Sequence, residues 1–269
     1  MNFSKVRVKP GSHVDLNEHD PAGRGGTPES KEERIRKTRE LSAEIDRFQD
    51  LLFAERQRQV LVVLQGMDTS GKDGTIRHVF GAVDPLGVRA VSVRAPAGEE
   101  TEHDYLWRVH RILPRKGEIV IFNRSHYEDF LIVRVHQWID RETCGRRYRQ
   151  INDFERMLSE NGMHIVKFFL NISADEQRKR LQERLDDPNK HWKFNLGDLD
   201  ERKRWQDYMG AYADALQATS TEWAPWYVIP SDSKSTRNFW VSTILHDLLR
   251  GLPMRYPKPD FDPASVKVE

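Results

Sequence analysis

Val60-Leu-Val-Val-Leu64, followed by Gly66-Met-Asp-Thr-Ser-Gly71-Lys72, is the stretch on which the reading of the whole chain turns. Five consecutive apolar residues are too few for a buried helix and suit a central parallel strand, apolar on both faces. The glycines that follow let backbone N–H groups turn inward around phosphate oxygens. Thr75 to Val83 then continues as a helical pattern, whose N-terminus adds a positive field. Taken alone, this spacing also fits an ordinary Gly-containing turn with a solvated lysine. Strand before and helix after make it a phosphate loop, with Lys72 as the mobile charge for a phosphoryl group in transit.

One position departs from the common pattern. Asp73 follows Lys72 where most phosphate loops place a Ser or Thr whose hydroxyl binds magnesium. Either Asp73 points away, as an acid in a first helical turn can, or the metal site is built differently. Asp68 is the replacement ligand within the loop, because a carboxylate among phosphate-binding amides is unfavourable unless a divalent cation lies between them.

Outward from the loop, apolar runs recur at Val88–Val93, Glu118–Phe122, Ile165–Leu170 and Trp226–Ile229. Helical patterns alternate with them: Tyr105 to Leu113, Arg146 to Leu158, a capped stretch opening Ser173-Ala-Asp-Glu176, Leu199 to Leu216 and Phe239 to Leu249. Ahead of the first strand, Ser30 with Glu33 forms a capping box, and Leu41, Ile45, Phe48 and Leu52 follow at helical spacing. Strands alternating with helices predict one doubly wound α/β domain, a three-layer sandwich around about five parallel strands. That domain spans residues 30–256. Residues 1–29, rich in Gly, Pro and polar side chains, read as an extended N-terminal arm, and 257–269 as a surface tail.

Composition narrows the function classes. The chain has 269 residues, with 43 Lys plus Arg against 42 Asp plus Glu, so any anion site must come from local clustering. Nucleic acid is not expected as a partner. A single cysteine, Cys144, excludes an internal disulfide and a cysteine-based zinc cluster. The N-terminal residues lack the apolar stretch of a secretory signal, and no apolar run approaches the ~20 residues that cross a bilayer. A cytoplasmic protein with no membrane partner is expected.

Two further clusters carry chemistry. Ile119-Val-Ile-Phe122 ends in Asn123-Arg-Ser-His-Tyr-Glu-Asp129. The strand beside a phosphate loop usually ends in an acid that holds magnesium; here Asn123 offers a weaker, neutral oxygen. Arg124, at the carboxyl mouth of a strand, faces the ligand crevice and can fork onto phosphate. Glu128 orients an acceptor nucleotide or binds metal; otherwise it is an acid in a helix's first turns. The second cluster runs from Glu176 through Arg178, Arg180 and Arg184 to His191-Trp-Lys-Phe194. An arginine-bearing helix and loop, about 178–197, suits a lid that closes over the transferring phosphate and excludes water. Trp192 and Phe194 read as packing residues, and His110 and His126 as core or surface residues without metal-site spacing.

Gly66-Met-Asp-x-x-Gly-Lys-Asp-Gly74, Phe122-Asn-Arg-Ser-His-Tyr-Glu-Asp129 and the Arg-rich helix followed by His191-Trp-Lys-Phe194 resemble the polyphosphate kinase 2 family over Glu33 to Tyr256. The resemblance implies a thymidylate-kinase-like P-loop fold, magnesium dependence with manganese as a substitute, and reversible transfer from inorganic polyphosphate to a nucleoside mono- or diphosphate. AMP, ADP and the guanine counterparts are the acceptors it implies, with ATP regeneration as the use. By motif match, Asp68 binds metal together with Asn123. Lys72 and Arg124 hold the transferring phosphate, flanked by Gly66, Gly71 and Gly74, while Arg178 and Arg184 engage phosphates from the lid. Many members carry Asp at the position of Asn123; a subgroup has Asn there with Glu at the position of Glu128, and accepts AMP as well as ADP. A homodimer or homotetramer is implied too. The rival readings are an ATP-donor nucleoside monophosphate kinase, which Asn123 and Asp73 disfavour, and a regulatory nucleotide binder, which has no need of a lid dense in positive charge.

Overall fold

The computed structural model describes residues 3–94 and 96–268. Met1 and Asn2 of the arm and Glu269 of the tail lie outside the described residues. Five strands, β1 Gln59–Gln65, β2 Val88–Ser92, β3 Ile119–Asn123, β4 Met163–Asn171 and β5 Trp226–Pro230, form one sheet in the order β2-β3-β1-β4-β5. Every pairing within it is parallel. β1 is buried along its whole length because it lies at the centre and is covered on both faces. Leu61, Val63, Phe122 and Phe169 face one core, while Val60, Val62, Leu64, Ile121 and Phe168 face the other. That alternation follows from the period of two along a strand.

Helices α1 Lys31–Glu55, α2 Lys72–Val79 and α9 Lys234–Arg250 cover the second face through Ile45, Leu52, Val79, Trp240 and Ile244. Helices α4 Glu128–Val135, α5 Arg141–Glu160 and α8 Trp205–Thr219 cover the first through Phe130, Ile151, Phe154, Tyr212 and Leu216. Ser30 and Ser173 cap α1 and α6 (Ala174–Asp186) as their sequences imply, each accepting from the backbone N–H three residues on.

Two of the expected helices need correction. The helix expected over Tyr105 to Leu113 is only a short turn, α3 Trp107–His110. The pattern from Leu199 to Leu216 is broken at Arg204 into α7 Gly197–Lys203 and α8. The N-terminal arm is a fitted strap. Val8 N–H donates to Trp226 O and Val228 N–H to Val6 O, and Val6, Val8 and Val14 are buried. Three apolar side chains spaced along a polar, Gly-rich stretch show no period of their own; they become legible only when β5 supplies the partner. Among the described residues no helix is long and apolar enough to cross a membrane.

Candidate active site

The loop between β1 and α2 sits at the carboxyl ends of the strands, where chain order reverses about the central β1. Gly71 begins α2 at φ 107° with no side chain to cap the first turn, which leaves that turn's N–H groups and dipole for an anion. Gly66, at φ 143°, lies where an added Cβ would fall 2.7 Å from Leu170 O. The loop carbonyls are held by side chains. Lys72 Nζ donates to Gly66 O at 2.8 Å and Met67 O at 3.2 Å, and Gln177 Nε2 to Asp68 O at 3.1 Å. Arg180 donates to Thr69 O at 2.9 Å and Arg237 to Ser70 O at 3.2 Å.

Asn123 pairs in register with Leu64 of β1, so the end of β3 lies beside the loop. Its Nδ2 donates to Asp73 Oδ1 at 2.7 Å. Asp73 therefore lines the cavity, and its carboxylate is directed at the end of β3. Arg124 has φ 61°, a left-handed conformation that costs a non-glycine residue on the order of 1–2 kcal/mol. The turn aims its guanidinium at Asp68 (2.5 Å) and Glu128 (3.1 Å). Glu128, and after it Asp68, hold the Arg124 guanidinium well above its ordinary pKa against the opposing effect of burial. Burial, with the like charge of Arg124, pushes the Lys72 ammonium down to about 8.

Two cavities meet at Arg124 and take it as a common wall. The first, of about 350 Å³, lies between the phosphate loop and the lid. Lys72, Arg124, Arg180, Arg184, Lys190 and Lys193 line it, with Lys234, facing the carboxylates of Asp68, Asp73 and Glu183. No aromatic or aliphatic side chain contributes to its described lining. The second, of about 800 Å³, is bounded by Tyr105, His103, Trp138, Arg108, Glu128 and Arg147 among others. Arg108 pairs with Asp129 there at 2.7 Å. Burial raises the Asp129 carboxyl above its ordinary pKa, and Arg108 opposes that shift.

Asp68, Lys72, Gly71, Asn123, Arg124 and Arg184 of the sequence-derived site thus line the first cavity, and Glu128 lines the second. Gly66, Gly74 and Arg178 of that site line neither cavity. Arg178 is exposed on the outer side of α6, 3.9 Å from Asp175 in a separate groove, because α6 turns Arg180 and Arg184, four apart, towards the loop. Gly74 makes room for Arg237, whose Nη2 lies 3.1 Å from where a Cβ would stand, and does not line the cavity. Trp192, read as packing, is 79% exposed on the lid with Lys193 over its ring.

The sequence reading missed Lys234, the individual lid lysines and, apart from Arg124 and Glu128, the walls of the second cavity. Those walls come from Glu100 to Arg108, where a helical period begins only at Tyr105, and from Trp138 and Arg147 on distant segments. The arginines Arg108 and Arg147 were visible signals, though indistinguishable in sequence from solvated ones.

Beneath the second motif lies a buried ionic cluster. Lys167 of β4 donates to Glu155 (2.5 Å), Tyr127 Oη (2.8 Å) and Thr219 O (2.8 Å), while His126 reaches Glu155 at 3.2 Å. Burial works to raise the Glu155 carboxyl, and the facing Lys167 ammonium together with His126 outweighs it, holding it below its ordinary value.

For magnesium, the described residues offer no group of three or more His, Cys, Asp or Glu. They do offer the oxygens of Asp68, Asp73 and Asn123 in one cationic cavity. That set fits an ion that takes one or two carboxylates and completes its octahedron with phosphate oxygens and water.

The family model for polyphosphate kinase 2 matches residues 28–256. An AMP/ADP-polyphosphate phosphotransferase of Meiothermus ruber is 50% identical over 267 residues, covering 99% of this chain and 100% of its own. An ADP-polyphosphate phosphotransferase of Rhodopseudomonas palustris is 43% identical, covering 96% of this chain and 93% of its own. The crystal structure of polyphosphate kinase 2 from Arthrobacter aurescens TC1 superposes with a TM-score of 0.93 at 46% identity, over 97% of this chain and 93% of that one.

Proposed function

The chain belongs to the polyphosphate kinase 2 family, and from that premise we propose that it moves the terminal phosphoryl group of inorganic polyphosphate onto the terminal phosphate of AMP or ADP. The observation that carries the choice of donor is the lining of the first cavity. A nucleotide donor would need a wall for its base, whereas this cavity offers cations, carboxylates and backbone. A polymer carrying about one charge per phosphate needs a path of cations and nothing apolar. The second cavity, with Tyr105, His103 and Trp138 beside Arg94, Arg108 and Arg147, suits an aromatic base at one end and phosphate at the other.

In this reading the acceptor phosphate enters from the second cavity and the donor from the first, and they meet at Arg124. Arg124 and Lys72 stabilise the charge spread over the equatorial oxygens as the phosphoryl passes in line. An acceptor phosphate is already anionic, so no general base is required. Asp68, with Asp73 and Asn123, would hold magnesium, which would offset the charge of the phosphates. The lid residues Arg184, Lys190 and Lys193 close over the donor and exclude water. Manganese substitutes by the same oxygen chemistry. We place the enzyme in the cytoplasm, where the unpaired Cys144 stays reduced, and infer a homodimer or homotetramer from its family.

Incubating the protein with polyphosphate, magnesium and either AMP or ADP, with the product nucleotides resolved, tests the proposal. Phosphorylated product without ATP is expected. Turnover only when ATP is the donor would replace it with a nucleoside monophosphate kinase.

A further inference from the structure

Arg237 lies in the first turn of α9, behind the phosphate loop, and is 2% exposed. Its hydrogen-bond partners are neutral: Ser70 O at 3.2 Å, and Asn238 Oδ1 at 3.2 Å from Nε and 3.0 Å from Nη2. The charge that acts on it is a like one. Arg180 reaches the same Ser70 O at 3.4 Å, and burial together with Arg180 pushes the Arg237 guanidinium down to about 9. Arg180 has a carboxylate of its own, Glu176 at 2.8 Å. The loop is moulded to this guanidinium, since a Cβ on Gly71 would stand 1.8 Å from Arg237 Nη1.

A buried guanidinium with no carboxylate partner among the described residues is costly to fold, and a structural clamp for one carbonyl could be had from a neutral amide. The arrangement makes sense if the counter-charge arrives from the other side of the loop. We propose that Arg237 is a positioning residue for donor binding. It fixes Ser70 O away from the cavity so that the loop amides face the phosphates, and its unneutralised charge is balanced when a polyanion occupies the loop. This rests on the reading of residues 66–72 as the donor phosphate site. By linkage, whatever the bound polyanion gains from Arg237 must appear as stabilisation of the folded protein by that polyanion.

The test uses the full chain with magnesium, inorganic tripolyphosphate as the probe in thermal unfolding, and KM values for polyphosphate and for the nucleotide acceptor. Tripolyphosphate should raise the Tm of the unsubstituted protein. In Arg237→Gln that rise should fall by about half or more, and the polyphosphate KM should climb about tenfold, the size of losing one hydrogen bond from a charged donor. The acceptor KM should stay within about twofold. A full tripolyphosphate response in Arg237→Gln, or both KM values rising together as general loosening would cause, overturns the proposal. Absence of any tripolyphosphate response in the unsubstituted protein would instead remove the donor-site reading beneath it. Should Arg237→Gln not fold, Arg237→Lys carries the same comparison, because an ammonium cannot hold Ser70 and Asn238 together. A several-fold rise in polyphosphate KM alone supports the proposal, and two unchanged KM values refute it.

Discussion

The side-chain amide of Asn123 donates to the carboxylate of Asp73 at 2.7 Å, tying the end of β3 to the first turn of α2. This contact puts an amide where the neighbouring strand of a phosphate-loop enzyme usually carries an acid. Asn123→Asp would set two carboxylates against each other, which only a proton or a cation can bridge. The variant should melt below the unsubstituted protein without magnesium and recover when magnesium is added. At saturating magnesium it should be more active than Asn123→Leu, which offers no oxygen. A melting point of Asn123→Asp indifferent to magnesium would mean that the ion lies elsewhere.

Lys72 gives a pH dependence of defined sign. Its ammonium is depressed to about 8 by burial, so the ligand-free folded protein releases this proton before the unfolded chain does. The penalty is present in full below about pH 8, and stability gains from this group as pH rises from there towards its ordinary value near 10.5. Donor binding runs the opposite way, because only the charged ammonium attracts phosphate. The polyphosphate KM should rise above about pH 8. Lys72→Met should remove that limb and cost transfer on the order of 3 kcal/mol in barrier. A KM profile level to about pH 9.5 would argue that Lys72 stays charged or does not touch the donor.

Salt should separate the two cavities. Polyanion binding displaces counterions, so the polyphosphate KM should rise several-fold more with ionic strength than the acceptor KM, whose base contacts are little screened. Arg184→Gln should flatten the polyphosphate salt slope, since Arg184 lines the donor cavity, whereas Arg178→Gln should leave it unchanged from its place on the outer groove. Equal slopes in the two variants would return Arg178 to the site.

Trp138 is 66% exposed and stacked with His136, and it lines the second cavity. A base lying on it would gain about 1–3 kcal/mol from stacking. Trp138→Ala should therefore raise the acceptor KM about tenfold and leave the polyphosphate KM alone. Steady-state kinetics with each substrate varied in turn decides it, and an unchanged acceptor KM would move the base away from this wall.

The Lys167–Glu155 pair should be worth most to stability when broken from one side. Both side chains are fully buried at 2.5 Å, so Lys167→Met strands a carboxylate and should cost on the order of 3–5 kcal/mol in urea unfolding. Adding Glu155→Gln should recover part of that loss. A double variant no more stable than Lys167→Met would show that His126 and Tyr127, not the charge, hold this region.

By itself the sequence determined the layered fold and the loop. Val60 to Leu64 reads as an interior strand, and Gly66 to Lys72, between that strand and the helical pattern after it, reads as a phosphate loop. These are local facts of periodicity and backbone freedom. It also placed Asp68, Lys72 and Arg124 together, since each sits at a strand end and parallel strands bring their carboxyl ends to one edge. What the tertiary structure alone decided is which cations face that edge. Arg178, Arg180 and Arg184 are equally basic in sequence, and the phase of α6 against the loop turns two inward and one outward. Arg237 and Gly71 are 166 positions apart by their numbers. Their fit, like the second cavity assembled from Tyr105, Trp138 and Arg147, depends on how separate segments pack, and no local pattern in the chain encodes that contact.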